Sequence, residues 1–266
     1  MASVLFLFLS HFGLGVAGTL LLVPAVVGVK FFRFNAGFGS VLLLLALAFR
    51  PAPAPGSSLA TVGLVALMLA TGALLFYWAT IGRTLARLRP VLLWITVAGG
   101  GVTLVAQAVG MSAIEMGPSA FLTAASFLSS VALLGSACTA MILGHWYLVL
   151  PSMDVSLLQS IVKFHIVSTL VRTAVVGVSI GVALASWESP SGAGYDRYIL
   201  SIDGVFLWQR VLFGLGAPAL LSYLTWETAK IRSTQSATGI LYVDLFAVIV
   251  GEMLAKYLLV ATRVPV

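Results

Sequence analysis

Long apolar runs with hardly an ionisable residue inside them constrain this chain more than any other feature. A hydrocarbon core about 30 Å thick is crossed by about 20 helical residues. At that length the sequence divides into eight spans, 3–28, 32–49, 59–81, 91–110, 120–150, 157–186, 204–226 and 240–262. Between them lie short stretches of Pro, Gly, Ser or charge: Arg50–Ser58, Arg83–Pro90, Glu115–Ser119, Pro151–Asp154, Glu188–Asp203 and Lys230–Gly239. The second span is the least defined, because Phe31-Phe-Arg-Phe-Asn35 also suits a membrane interface. Backbone N–H and C=O groups in lipid must be bonded within the protein. The expected fold class is therefore all-α, a polytopic transmembrane helix bundle forming a single integral membrane domain over residues 1–266.

Composition excludes the soluble alternatives. Only 8% of the residues are charged, against about 25% in a soluble domain, too few to cover a water-exposed fold. The net charge of +6 is scattered and forms no polybasic tract, so nucleic acid is not an expected partner. The basic residues sort instead by side. Loops after odd-numbered spans hold Lys30, Arg33, Arg83, Arg87, Arg89, Lys230 and Arg232, whereas the opposite side has Arg50, Arg197 and Arg263. By the positive-inside rule the odd loops are cytoplasmic and both termini face outward, in a prokaryotic-type plasma membrane. The start, Met1 to Leu9, has no positive n-region and no clear cleavage site, and reads as the first span, retained.

Catalytic signatures are missing. The single cysteine, Cys138, excludes internal disulfides, cysteine zinc sites and CxxC pairs. There is no Walker loop, HExxH, GxSxG or dinucleotide fingerprint, so no catalytic residue is assigned and an enzyme acting alone is not indicated. Small residues instead announce packing. Ala132, Ser136, Ala140 and Gly144 recur at every fourth position of span five and predict a close helix contact. Gly99-Gly100-Gly101 marks a close or flexible point in span four.

Ionisable groups inside spans are costly and by default mark a pathway or a site. All three histidines, His11, His145 and His165, fall within spans. At about 1.5 Å per residue, His145 lies about 9 Å from the cytoplasmic end of span five and His165 about 12 Å into span six. Imidazoles at matched depth on neighbouring helices are candidate ligands for a haem b iron, with no other metal implied. Alternatively, each histidine hydrogen-bonds a neighbouring helix, or Gly144-His145-Trp146-Tyr147 is an interfacial anchor. Gly15 and Gly18 follow His11 on one face, leaving either a groove for a flat quinone or porphyrin ring or a tight helix contact.

Farther along, Arg172 falls seven residues after His165, Arg210 follows Gln209 in span seven, and Asp244, Glu252 and Lys256 share span eight. Glu252 and Lys256 can pair at i,i+4. His11, Arg172, Arg210, Glu252 and Lys256 all map to the centre or outer half of the membrane. Were they to meet, they would form a polar pocket suited to a quinol headgroup, whose hydroxyls need donors, acceptors and a proton exit. The same pocket suits a small anion or a proton-coupled substrate, and the arginines have snorkelling or helix packing as simpler roles.

Three stretches carry a resemblance. Phe12-Gly-Leu-Gly-Val-Ala-Gly18, Trp208-Gln-Arg210-Val-Leu and Gly251-Glu-Met-Leu-Ala-Lys-Tyr257 resemble the corresponding segments of the dimethyl sulfoxide reductase membrane-anchor family and the similar polysulfide reductase anchors. The resemblance covers about a fifth of the chain. It implies eight spans, outward termini, a quinol site in the outer half, electron transfer to an iron–sulfur partner and no haem in this subunit. His145 and His165 match no motif of that family.

Three functional readings follow. The first is a subunit of a respiratory or other electron-transfer complex, which binds quinone, with or without haem b, and exchanges electrons with iron–sulfur or cytochrome partner subunits. The second is a secondary transporter or channel with a central charged site. In the third, the chain is a structural or assembly subunit whose buried charges serve helix packing alone.

Overall fold

The computed structural model describes residues 1–51, 58–83, 86–112, 119–150, 153–187 and 194–266. The regular elements among them are helices: α1 (Ala2–Thr19), α2 (Val29–Ala48), α3 (Ser58–Thr80), α4 (Arg89–Ser112), α5 (Ala120–Val149), α6 (Ser156–Ser186), α7 (Tyr195–Leu200), α8 (Val205–Val211), α9 (Ala217–Lys230) and α10 (Thr234–Thr262), with short 3₁₀ turns at Ala25–Val27 and Ala86–Leu88. A π-helical segment, Leu212–Gly216, joins α8 to α9, so Val205–Lys230 runs as one span. Among the described residues, eight helices are long and apolar enough to cross a membrane, as the sequence predicts. The Pro-Ala stretch at 52–55, Glu115 and Glu188 lie outside the described residues.

Two of the expected boundaries move by well over a helical turn. The first span, predicted over 3–28, ends as a helix at Thr19. Pro24 has no N–H to continue the ladder and disfavours helical backbone at Val23, and Gly28 at φ 98° turns the chain into α2 through a conformation that L side chains rarely adopt. The last helix starts at Thr234 rather than at 240, because Ser233 to Gly239 carries no proline and the helix absorbs Gly239. The doubtful second span is a regular helix that includes Phe31 to Asn35, with Phe31 and Asn35 fully buried. Before α6, Asp154 Oδ1 accepts the Ser156 N–H at 3.0 Å, which holds its carboxyl below the ordinary value.

The helices pack as two rings of four. α1, α2, α3 and α4 close one ring, and α5, α6, the α8–α9 span and α10 close the other. The rings meet where α1 and α4 lie against α5, and α1 against α10. α5 is the central helix, with 78% of its apolar window buried against 33–39% for α3, α4, α6 and the α8–α9 span, whose outer faces are exposed. Small residues set the spacing at the centre, because helices in lipid associate through close packing rather than through a hydrophobic drive.

At the crossing of α1 and α5, a Cβ on Gly135 would sit 2.2 Å from Gly15 O, and one on Gly15 2.3 Å from Val131 O. The face without side chains after His11 is therefore filled at Gly15 by the α5 backbone, and no groove for a flat ring remains there. Of the small-residue row on α5, Ser136 and Ala140 are fully buried and Gly144 lies against Thr238 and Leu241 of α10, giving the expected close contact. The Gly99–Gly101 run does not interrupt α4; Gly99 lies against Ala66 and Ala70 of α3, and Gly100 against Leu14 of α1. The irregular span is the seventh, where the π segment lies.

Gly135→Ala should cost about 1–3 kcal/mol, because its new methyl meets backbone that cannot rotate away. Gly18→Ala, with nothing within 4 Å of the added atom, should leave stability near that of the wild type. Thermal unfolding of both variants in detergent checks the contrast.

Candidate functional site

Each half of the molecule contributes to one buried polar cluster, centred on Glu252 of α10. Its carboxylate accepts Arg172 Nε at 2.9 Å and Arg210 Nη2 at 2.7 Å on Oε1, with Arg172 Nη2 at 3.3 Å, Lys256 Nζ at 3.4 Å and Ser130 Oγ at 2.5 Å on Oε2. Glu252, Arg172, Arg210 and Ser130 are 0% exposed and Lys256 is 1% exposed. One carboxylate thus faces three cations. Charges this deep are tolerated only when paired and hydrogen-bonded, and the remaining donors are used accordingly, except Arg210 Nε, which is buried without a partner. Arg172 Nη1 donates to Ser126 Oγ at 2.7 Å and Ser126 O at 3.2 Å, and its Nη2 to Val266 O at 3.1 Å. Arg210 Nη1 donates to Gly214 O at 2.9 Å.

Local backbone irregularity places Arg210. A π segment frees carbonyls from the α-helical ladder and is common at functional sites; here Gly214 O of that segment takes the Arg210 guanidinium. A second glycine crossing brings α10 alongside. A Cβ on Gly251 would lie 2.2 Å from Gly214 Cα, so only glycine at both positions lets Arg210 reach Glu252, the residue next to Gly251.

His11 joins from the other half. Its Nδ1 lies 3.4 Å from Ser130 Oγ and its Nε2 3.3 Å from Gln107 Oε1 of α4, with the ring edge-on to Phe127 at 4.6 Å between centroids. A hydroxyl has one donor and two acceptor sites. Ser130 spends its hydrogen on Glu252 and accepts from Lys256 Nζ at 2.8 Å, so His11 Nδ1 is the donor to its remaining lone pair. In a neutral ring Nε2 is then an acceptor and needs a donor. Gln107 Nε2 is buried and without a partner. Amide O and N are alike in shape, and turning the Gln107 amide over satisfies both groups without adding a fourth cation.

The five residues His11, Arg172, Arg210, Glu252 and Lys256 singled out in the sequence are thus brought into one hydrogen-bonded network. His145 and His165 are not brought together. His145 is exposed and its Nδ1 lies 3.1 Å from Tyr242 Oη. His165 is fully buried, with Nδ1 3.0 Å from Ser136 Oγ and Nε2 2.7 Å from Asp244 Oδ2. Asp244 does not join Glu252 either, since eight residues at about 100° each leave it about 80° around the helix. Gln209 is exposed. Among the described residues no group of three or more His, Cys, Asp and Glu side chains is placed to hold a metal ion.

Sequence reasoning missed Ser126 and Ser130, the serines of α5 that bind the charges, together with Gln107, Phe127 and the Gly214–Gly251 crossing. Membrane helices use hydroxyls freely to pack, so a serine gives no signal until its partner is known.

Glu252→Gln removes the negative charge that three buried cations share and should destabilise the protein by about 3–5 kcal/mol, measured as a lowered unfolding temperature in detergent. Exposed Gln209→Ala, next to Arg210, should leave that temperature unchanged. In comparisons of the whole sequence, no protein-family model and no curated protein matches the chain, so the likeness to the reductase anchors rests on the three short motifs alone.

Proposed function

We propose that this chain is the quinone-binding membrane subunit of an electron-transfer complex, with the headgroup taken up at His11 beside the Glu252 cluster. The observation that carries this reading is the link from His11 through Ser130 to Glu252 and Lys256, with Arg172 and Arg210 on the same carboxylate. A quinone carbonyl needs a hydrogen-bond donor, and a quinol hydroxyl needs a base as it is oxidised. His11 Nε2 is the basic nitrogen that the Glu252 network leaves unused, held only by Gln107. Gln107 is half-buried, so entry of a headgroup past it exchanges one hydrogen bond for another.

Oxidation of a quinol releases two electrons and two protons. In this reading one proton goes to His11 Nε2, and the other leaves through Ser130 and the Glu252–Lys256 pair. The electrons pass to a partner subunit carrying iron–sulfur clusters or haem. The excess of buried cations favours negative charge on the headgroup oxygen as its proton leaves. Phe127, edge-on to His11 and with Lys256 Nζ 5.4 Å from its ring centre, supplies an apolar wall. Haem b within this chain gains no support from the histidines, since His145 and His165 have separate partners and both nitrogens of His165 face protein groups.

A transporter with a central charged site is the second reading, favoured by the π segment next to Arg210, because transporter sites gather at irregular helices. Substrate uptake into vesicles, lost in Glu252→Gln, would establish it.

The quinone reading is tested on purified protein. An organic extract should contain quinone in near-stoichiometric amount, and a soluble benzoquinone or naphthoquinone analogue should quench intrinsic fluorescence saturably. His11→Phe should weaken analogue binding about tenfold or more, the loss of one good hydrogen bond. Extracts free of quinone, with no saturable quenching by either analogue, would refute it.

A further inference from the structure

A second buried polar group lies about 12 Å before Glu252 along α10. Asp244 and His165 are both 0% exposed, and Nε2 of the ring is 2.7 Å from Asp244 Oδ2. Ser136 Oγ, on the opposite side of the ring, donates to Leu133 O at 3.0 Å and so has spent its hydrogen. The 3.0 Å contact between Ser136 and His165 is therefore donated by Nδ1–H of the histidine.

The same bookkeeping decides the other nitrogen. With Nδ1 protonated, a neutral His165 gives Asp244 no donor: Nε2, Oδ1 and Oδ2 are all buried without a hydrogen-bond partner although Nε2 lies 2.7 Å from Oδ2, and a bare carboxylate so deep is costly. The pair therefore holds one proton, on Nε2 or on Oδ2. The contact lies off the direction of an Nε2–H donor, and Asp244 Oδ1 is buried with no partner. The proton is thus not locked into an aligned hydrogen-bond network as the charges around Glu252 are. Loaded, the pair is neutral overall; empty, it is a buried anion.

The surroundings suit both states. The other charged groups on α10 and the helices around it are engaged elsewhere: Arg172, Arg210 and Lys256 on Glu252, His11 on Ser130, His145 on Tyr242, Lys230 with Glu227, and Lys163 near Trp226. Seven residues above His165 on α6, about 10 Å away, Arg172 begins the cation-rich cluster that would stabilise the empty, anionic pair. Towards the other end of α10, Thr238 and Tyr242 line a groove of about 580 Å³ together with Tyr147, Arg232 and Gln235. Asp244 lies about 9 Å along the helix from Thr238.

We propose that Asp244 and His165 form a proton-carrying site in the interior of the bundle, which takes up and releases one proton from the side of the Tyr242 groove. The step moves a proton only and requires no redox partner. It does not require quinone at His11, so the two proposals fail separately.

The test is infrared difference spectroscopy between low and high pH on quinone-extracted protein, with ¹³C-labelled aspartate, and nitrogen NMR of ¹⁵N-labelled histidine. The other aspartates, Asp154, Asp196 and Asp203, lie outside the eight spans, so the infrared band of a desolvated aspartate identifies Asp244. One aspartate and one histidine should titrate in a single step, with a band that shifts in D₂O. Both changes should vanish in Asp244→Asn and in His165→Gln. Labelled wild-type spectra with no such step over the pH range in which the protein stays folded would overturn the proposal, as would a step that persists in Asp244→Asn. Because the wild-type spectra already decide between these outcomes, a variant that fails to fold does not spare the proposal.

Discussion

The carboxylate of Glu252 is the point on which the arrangement of the second half depends. A charge in a membrane interior has lost its water, and its free energy is recovered only through partners held at hydrogen-bond distance. Those partners come from three other helices, Arg172 from α6, Arg210 from α8 and Ser130 from α5. None can move far without stranding a buried charge. An apolar contact in lipid has no such directionality, since lipid tails offer a leucine much the same surroundings as another helix does. The cluster thus fixes how the helices face one another as well as their proximity.

Close backbone approach makes this geometry attainable. Gly214 against Gly251 draws the irregular seventh span onto α10, and Gly15 against Gly135 draws α1 onto α5. The first contact delivers Arg210 to Glu252, and the second delivers His11 to Ser130. In both places a methyl group would occupy space that backbone atoms already fill. The polar site and the glycine crossings are two aspects of one constraint: long side chains meet at the centre only where the helices carrying them have almost no side chain between them.

α5 links the parts because it meets both rings and carries hydroxyls along its buried faces. Ser126 binds Arg172, Ser130 joins His11 to Lys256 and Glu252, Ser136 holds His165, and Thr139 meets Thr19 at 2.6 Å. A hydroxyl is an inexpensive polar group for a membrane helix, because it can return its hydrogen to a carbonyl one turn back, as Ser129 does to Ala125. The helix thereby supplies acceptors where charges need them and remains closely packed elsewhere.

The membrane architecture was legible from sequence because it depends on composition and length. Eight apolar runs with so few charges have no folded form in water, and backbone hydrogen bonding in lipid leaves them helical. The residues of the charge cluster were legible too, since Arg172, Arg210, Glu252 and Lys256 have no inexpensive reason to stand inside a span. Tertiary structure alone decided their partners. It separated His145 from His165, gave His165 to Asp244, filled the glycine face after His11 with α5 at Gly15, and put the irregularity in span seven rather than at Gly99–Gly101. Hydropathy and spacing describe one helix at a time, whereas the rotation of each helix and its partner are set by contacts between residues such as His11 and Ser130, more than a hundred positions apart.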